Sequence, residues 1–215
     1  MKIVIIGSGR IGGTVGKLWA QAGHQVRFSS RHPDHLDVLV ADSGPNASRS
    51  SIEEALAFGD VIMISIPYGS LPAFGDQYGS QLSLKIVIET GNPYPERDCY
   101  VARQVLDSGF GTGHWSARWL SGARLVRAFN SVWDRTLARE AHRNPPRVGV
   151  PLAADDTNAA DTVAGLIRDA GFDPVLVGPL SRAREFDVGT PVYNTNMSGP
   201  EVRQALGLKQ AGTAS

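Results

Sequence analysis

Residues 7–12 read Gly7-Ser8-Gly9-Arg10-Ile11-Gly12, and three glycines at this spacing suit one task, the binding of a dinucleotide pyrophosphate. The spacing alone is a weak signal, but here it lies between an apolar β-branched run and an amphipathic helical stretch, which strengthens it. Gly7 allows the tight turn, Gly9 lets the backbone come close to the pyrophosphate, and Gly12 lets the helix pack closely on the strand. The unpaired amides and the positive dipole end of the helix then face the anion.

About twenty residues on, where an NAD-binding chain places an acid on the adenine ribose, stand Ser29, Ser30 and Arg31. A carboxylate repels a 2′-phosphate, whereas a hydroxyl and a guanidinium both bond to it. The expected cofactor is therefore NADP(H). One charge-assisted bond is worth roughly 1.5–3 kcal/mol, or about 10- to 100-fold in preference. His32 and His35, three apart, lack a second pair of ligands, so no metal site is expected from them.

Hydride transfer between two flat rings needs orientation more than an acid or base. No Ser-His-Asp set, G-x-S-x-G turn or carboxylate pair stands out. A carbonyl or imine substrate would require a proton donor, for which Tyr68, Tyr94 and His114 are the candidates. Phe110, Trp115, Trp119, Phe129 and Trp133 are dense in one stretch and could stack a flavin-like ring, although the i, i+4 spacing of Trp115 and Trp119 equally suits a helix core.

The elements that position these residues alternate between strand and helix, the pattern of a Rossmann-type, doubly wound, mainly parallel α/β sheet with helices on both faces. Strands are expected at 2–6, 25–29, 60–66, 85–89, 123–129, 147–152 and 174–177, and helices at 11–22, 51–58, 116–120, 131–142 and 157–170. Residues 96–122 are hard to assign. Residues 1–190 read as one NAD(P)-binding domain with a strand–helix extension, and 191–215 as a polar tail, either mobile or ordered against another subunit.

With 215 residues, 42% of them hydrophobic, the chain is long enough for one well-buried core. Its 21 Lys and Arg balance 21 Asp and Glu, which argues against nucleic acid or an anionic membrane as partner and for a small molecule. The N-terminal apolar run is too short for a signal peptide, and Cys99 is the single cysteine, so a cytoplasmic setting is expected.

The blocks GSGRIG, SSRHPD, ISIPY, ETGNPYPERD, GARLVRAFNSVW, DAGFDPVLVGPL and GTPVY, in this order, resemble the NADPH-dependent oxidoreductases related to the NADP reductase of the deazaflavin coenzyme F-420. The same unit resembles the cytosolic domain of the STEAP metalloreductases. The resemblance runs from Met1 to about Tyr193. It implies a single α/β domain, usually a homodimer, in which NADPH faces a second redox partner. Carried over by position, Ser8, Ser30 and Arg31 would hold the 2′-phosphate, and Arg10, Ile11 and the Gly9 amide the pyrophosphate. Ile66, Pro67 and Tyr68 would border the nicotinamide with Asn92 and Pro93, and Asn130 would sit near the second ligand. His35 stands where these reductases tend to have a phosphate-binding lysine, and Ala153-Ala154-Asp155-Asp156 where they often have a Gly-Asp-Asp turn.

The expected activity is hydride transfer between NADP(H) and a flavin-like or deazaflavin (F-420) acceptor, with Tyr68 and Asn130 as catalytic candidates. The alternatives are reduction of a small carbonyl, imine or ferric chelate, and a non-enzymatic NADPH sensor. The ISIPY and GNPYP segments, at strand ends where α/β sites form, favour an enzyme over a sensor.

Overall fold

The computed structural model describes residues 1–209. In chain order these form β1 (Lys2–Ile6), α1 (Arg10–Gln21), β2 (Gln25–Ser29), α2 (Asp37–Ser43), β3 (Ala47–Ser50), α3 (Ile52–Phe58), β4 (Val61–Ile64), α4 (Leu71–Leu82) and β5 (Ile86–Glu89). Then follow α5 (Pro95–Ser108), α6 (Thr112–Trp119), β6 (Arg124–Ala128), α7 (Asp134–Glu140), β7 (Gly149–Ala154), α8 (Thr157–Asp169), β8 (Asp173–Gly178) and α9 (Gly199–Ala205). Short 3-10 segments cover Pro33–Leu36, Tyr68–Ser70 and Leu180–Phe186.

The strands make one sheet in the order β3-β2-β1-β4-β5-β6-β7-β8. All neighbours run parallel except β6 and β7. This is the doubly wound α/β architecture expected from the alternating pattern. The chain leaves β1 for β2 on one side and returns to β4 on the other, so the crevice beyond the carboxyl ends of β1 and β4 is the topological switch point.

Strands β4 and β5 are buried along their whole length because helices cover both faces. Alternation sorts β1 between two cores: Ile3 and Ile5 pack with Trp19, Phe28 and Phe129, while Val4 and Ile6 pack with Ile62, Tyr68 and Trp115. Trp19 further ties α1 to α8 by donating its indole N–H to the Leu166 carbonyl at 2.8 Å.

Several elements lie outside the sequence reading. β3 is a polar, half-buried edge strand with no apolar alternation to reveal it. α4 carries Gly75 and Gly79, which dilute its helical pattern. α5 is interrupted at Cys99, whose φ of 48° is left-handed. Residues 192–208 are not a free tail: Val192 and Val202 are buried with Met197, Leu206 and Leu208 around them. Arg203 also grips Asp173 of β8 through two bonds of 3.0 and 3.2 Å. A capping box of Ser198 and Glu201 starts α9. Through residue 208 the expected tail is thus packed on the chain's own β7 and β8; residues 210–215 lie outside the described ones. Among the described residues, no helix is long and apolar enough to cross a membrane.

Candidate active site

The glycine turn closes β1 onto α1. Gly7 has φ +91°, and a Cβ there would come within 2.5 Å of the Ser65 carbonyl oxygen. A Cβ on Gly12 would come within 2.3 Å of the Gly7 carbonyl oxygen. Packing of the protein itself therefore requires both glycines. Gly9 differs, because a Cβ there meets no protein atom within 4 Å and its φ is an ordinary −76°. The space a side chain would fill at Gly9 is open cleft, at the N-cap of a helix that has no side-chain cap. A cradle left free by the protein and lined by unpaired amides fits an anion, so the observed turn fits a dinucleotide pyrophosphate.

Gly9 belongs to two adjoining hollows that share Ser65, Ile66 and Pro67 at the end of β4. The first, of about 760 Å³, runs from Ser30 and Arg31 at the end of β2 to Phe74, Gln77 and Tyr78 on α4. Arg31 is exposed and makes no ion pair among the described residues, whereas nearby Arg49 is held by Asp34 and Asp37. Ser30 Oγ accepts the His32 amide at 3.0 Å, which fixes the loop that carries Arg31. Ser8 turns its hydroxyl to the Ser29 carbonyl at 3.5 Å and is not part of the hollow. His35 stacks on His32 with centroids 5.4 Å apart and also stays outside.

The second hollow, of about 510 Å³, continues past Arg10 and Ile11 to Thr90, Gly91 and Asn92 at the end of β5. Phe129 and Asn130 at the end of β6 line it too, and Trp133, Tyr94, Arg97, Tyr193 and Asn194 form its outer walls. Phe129 and Asn194 hold left-handed φ values of 63° and 54°. Non-glycine strain of this kind gathers where a site must be shaped.

Two expected residues are elsewhere. Tyr68 is fully buried: the 3-10 turn after Pro67 rotates its ring into the core, where its hydroxyl donates to the Thr112 carbonyl at 2.9 Å. Burial first, then the neighbouring Glu89, push its ionisation far above the usual tyrosine range. It can neither reach a ligand nor exchange a proton there. Pro93 lines a separate recess of about 210 Å³. Among the aromatics, Trp115 and Trp119 pack on each other and on Tyr68 in the core, Phe110 stacks on His114 away from the cleft, and only Phe129 and Trp133 line it. His114 is thus no proton donor to this cleft.

Asn130 and Asn92 brace the floor. Asn92 Nδ2 donates to the Asn130 carbonyl at 2.8 Å, and Asn130 Nδ2 reaches Asn92 Oδ1 and the Phe186 carbonyl, each at 3.3 Å. Asn130 Oδ1 is buried and has no partner. Beneath them lies an ionic cluster: Arg127, fully buried, contacts Glu89 and Asp187 and donates to the Gly91 carbonyl at 2.9 Å. Burial pushes the Glu89 carboxyl up, while Arg127, the Gly91 amide and Ser116 Oγ pull it back. This cluster fixes the β5 end that carries Gly91 and Asn92.

The outer wall joins Tyr94, one of the expected proton-donor candidates, to Arg97 and Tyr193, to which sequence reasoning assigned no role. Tyr94 and Tyr193 hydroxyls are 2.5 Å apart. Arg97 lies 4.9 Å over the Tyr94 ring and donates to the Asn92 carbonyl at 2.7 Å. Burial opposes ionisation of Asp98, yet bonds from Arg97 and from the Tyr94 and Gly69 amides hold its carboxyl below the usual range, so it anchors Arg97 as an anion. Burial and the bond to Tyr94 raise Tyr193, which keeps its proton at neutral pH. Two hydroxyls share one hydrogen bond, so one O–H of the pair is left to donate. Arg97 and Tyr193 lie in the blocks ETGNPYPERD and GTPVY, a signal that spacing alone does not turn into a site.

Comparison with known proteins places this geometry. Residues 2–93 match the family described as NADP oxidoreductase, coenzyme F420-dependent. Metalloreductase STEAP3 of the rat (Rattus norvegicus) is 28% identical over 195 residues, covering 86% of this chain and 36% of STEAP3, so the chain spans about a third of that relative. Among solved structures, protein SMa0349 of Sinorhizobium meliloti matches with TM-score 0.79 and 24% identity, over 92% of this chain and 95% of that one. A candidate F420-dependent NADP-reductase from Arthrobacter sp. FB24 matches with TM-score 0.70 and 19% identity, over 92% and 99%. At such identities the two structures establish a shared fold.

Proposed function

We propose that this chain, whose residues 2–93 match the coenzyme F420-dependent NADP oxidoreductase family, passes a hydride from NADPH to a flavin-like or deazaflavin ring held beside Trp133. The observation that carries this reading is the continuity of the two hollows through Gly9, Ser65, Ile66 and Pro67. Together they run from the end of β2 past the glycine turn and leave about 510 Å³ over the ends of β5 and β6. A space of this size is typical of small-molecule sites.

Ser30 and Arg31 would hold the 2′-phosphate, and the free amides beside Gly9 the pyrophosphate. When bound, NADPH supplies the hydride, with one proton taken up so that the acceptor gains two electrons and two hydrogens. Ile66 and Pro67 exclude water from one side of the junction, and Phe129 and Asn130 close its floor. Trp133, 52% exposed, offers an aromatic face to a flat ring. The Tyr94–Tyr193 pair holds the proton at the cleft wall.

That pair also favours a second reading, reduction of a small carbonyl or imine, for which a hydroxyl donor is what the chemistry demands. Following NADPH absorbance with FMN, a deazaflavin, a ferric chelate, a ketone and an imine separates the readings. Turnover with a flavin or deazaflavin is expected; binding of NADPH with no acceptor reduced would leave a sensor instead. The cofactor half is tested by Arg31→Ala. NADPH should bind about tenfold more weakly with NADH unchanged, and equal affinity of the native protein for both cofactors would overturn the phosphate assignment.

A further inference from the structure

A further recess, of about 470 Å³, opens beyond the acceptor cleft. Trp133 and Asn194 line both spaces and so form the sill between them. Past the sill stand Arg135 and Arg139, one helical turn apart on the same side of α7. Neither makes an ion pair or hydrogen bond among the described residues.

The one carboxylate lining the recess, Glu140, is turned to Arg143 at 3.5 Å. The floor is fixed by Thr136 Oγ1, which donates to Asn196 Oδ1 at 2.6 Å. Asn194 holds the sill in a left-handed conformation, its amide donating to the Ser131 carbonyl at 2.7 Å. The space is therefore polar, walled by ordered groups and carries two unneutralised guanidiniums. Such a fork of donors matches the oxygens of a phosphate or carboxylate.

We propose that the Arg135–Arg139 recess is an anion subsite for the hydride acceptor, so that the acceptor carries a phosphate or carboxylate on a side chain reaching over the Trp133 sill. The identity of the ring rests on the function proposed above; the subsite itself rests on the recess. Because Trp133 and Asn194 line both spaces, a ring seated beside Trp133 can extend a side chain past Asn194 into this recess.

FMN and riboflavin share one ring and differ by a phosphate, so they isolate this contact. With NADP⁺ saturating to block the cofactor hollow, each is titrated into the protein while quenching of flavin fluorescence is followed. FMN should bind about tenfold more tightly than riboflavin, and the preference should shrink at high salt because the arginines are exposed. Arg135→Gln/Arg139→Gln should bring FMN to the riboflavin value. Equal affinities in the native protein, a preference that survives the double substitution, or no FMN binding would each overturn the subsite. FMN bound through the arginines but never reduced by NADPH would leave the subsite standing and remove the acceptor reading instead.

Discussion

Replacing Arg127 by Met is the sharpest test of how the sheet holds the cleft. The guanidinium is fully buried, contacts both Glu89 and Asp187, and bonds the Gly91 carbonyl. Met keeps the length and apolar stem but strands the Glu89 carboxylate, which is itself buried. Breaking a buried pair from one side costs about 3–5 kcal/mol. For a chain of this size that is about a 6–20 °C fall in Tm. The sign of the pH effect follows from Glu89. Burial already holds the Glu89 carboxyl above the ordinary glutamate range, and losing Arg127 removes the largest opposing influence, so in the variant it ionises still further above the unfolded chain. The folded variant then binds the extra proton, so its stability falls as pH rises past the ordinary glutamate range. Urea denaturation at about pH 5.5 and about pH 8, both above the ordinary glutamate range, should show the larger deficit at the higher value. Adding Glu89→Gln should recover part of the loss. A deficit under about 1 kcal/mol, or one that does not grow with pH, refutes the view that this cluster is an ion pair with structural weight.

Gly9→Ala should leave Tm nearly unchanged while weakening NADPH binding, whereas Gly12→Ala should lower Tm, because only the second Cβ meets protein atoms; thermal melts beside a binding titration read both, and a destabilised Gly9 variant would contradict the open cradle. Tyr94→Phe should reduce kcat for a carbonyl or imine more than for a flavin, and a matching loss with both acceptors would show that the pair only shapes the wall. Asp156, bonded by Arg124 and by the Ala159 amide and drawn down to about 2, stabilises the start of α8 above the ordinary aspartate range and loses this as pH falls toward its folded value; acid unfolding of Asp156→Asn should therefore be less steep between about pH 4 and 2, and an unchanged acid transition would count against the cap.

The strand–turn–helix frame of the cofactor half was legible because it is local, although Ser8 and His35, expected at the phosphate, lie outside the hollow. Strand, glycines, helix and second strand follow one another within residues 2–31, and each glycine's role can be read from its neighbours in the chain. In the acceptor half single residues such as Tyr94 and Asn130 were legible but their partners were not, because the groups meet only in three dimensions: Tyr94 and Tyr193 are 99 residues apart, yet share a hydrogen bond. Tyr68 was misread for a related reason. A residue just past a strand end points toward the crevice only if the backbone continues the strand, and the 3-10 turn at Tyr68–Ser70 does not. Nor does composition distinguish Trp115 and Trp119, which fill the core, from Trp133, which lines the cleft; all three are tryptophans near helices.

The single reversal of strand direction, between β6 and β7, has consequences for how such a protein could change its diet. Because β8 runs parallel to β7, it ends at the edge far from the site, and the chain climbs back through Leu180–Phe186 to place Asp187 against Arg127 and Tyr193 against Tyr94. The part of the outer wall formed by Tyr193 and Asn194 is thus a late strip of chain laid over a finished nucleotide cassette. Insertions or replacements along that strip would remodel what is reduced without disturbing what does the reducing. In an evolutionary sense the two ends of the trough are separately inheritable.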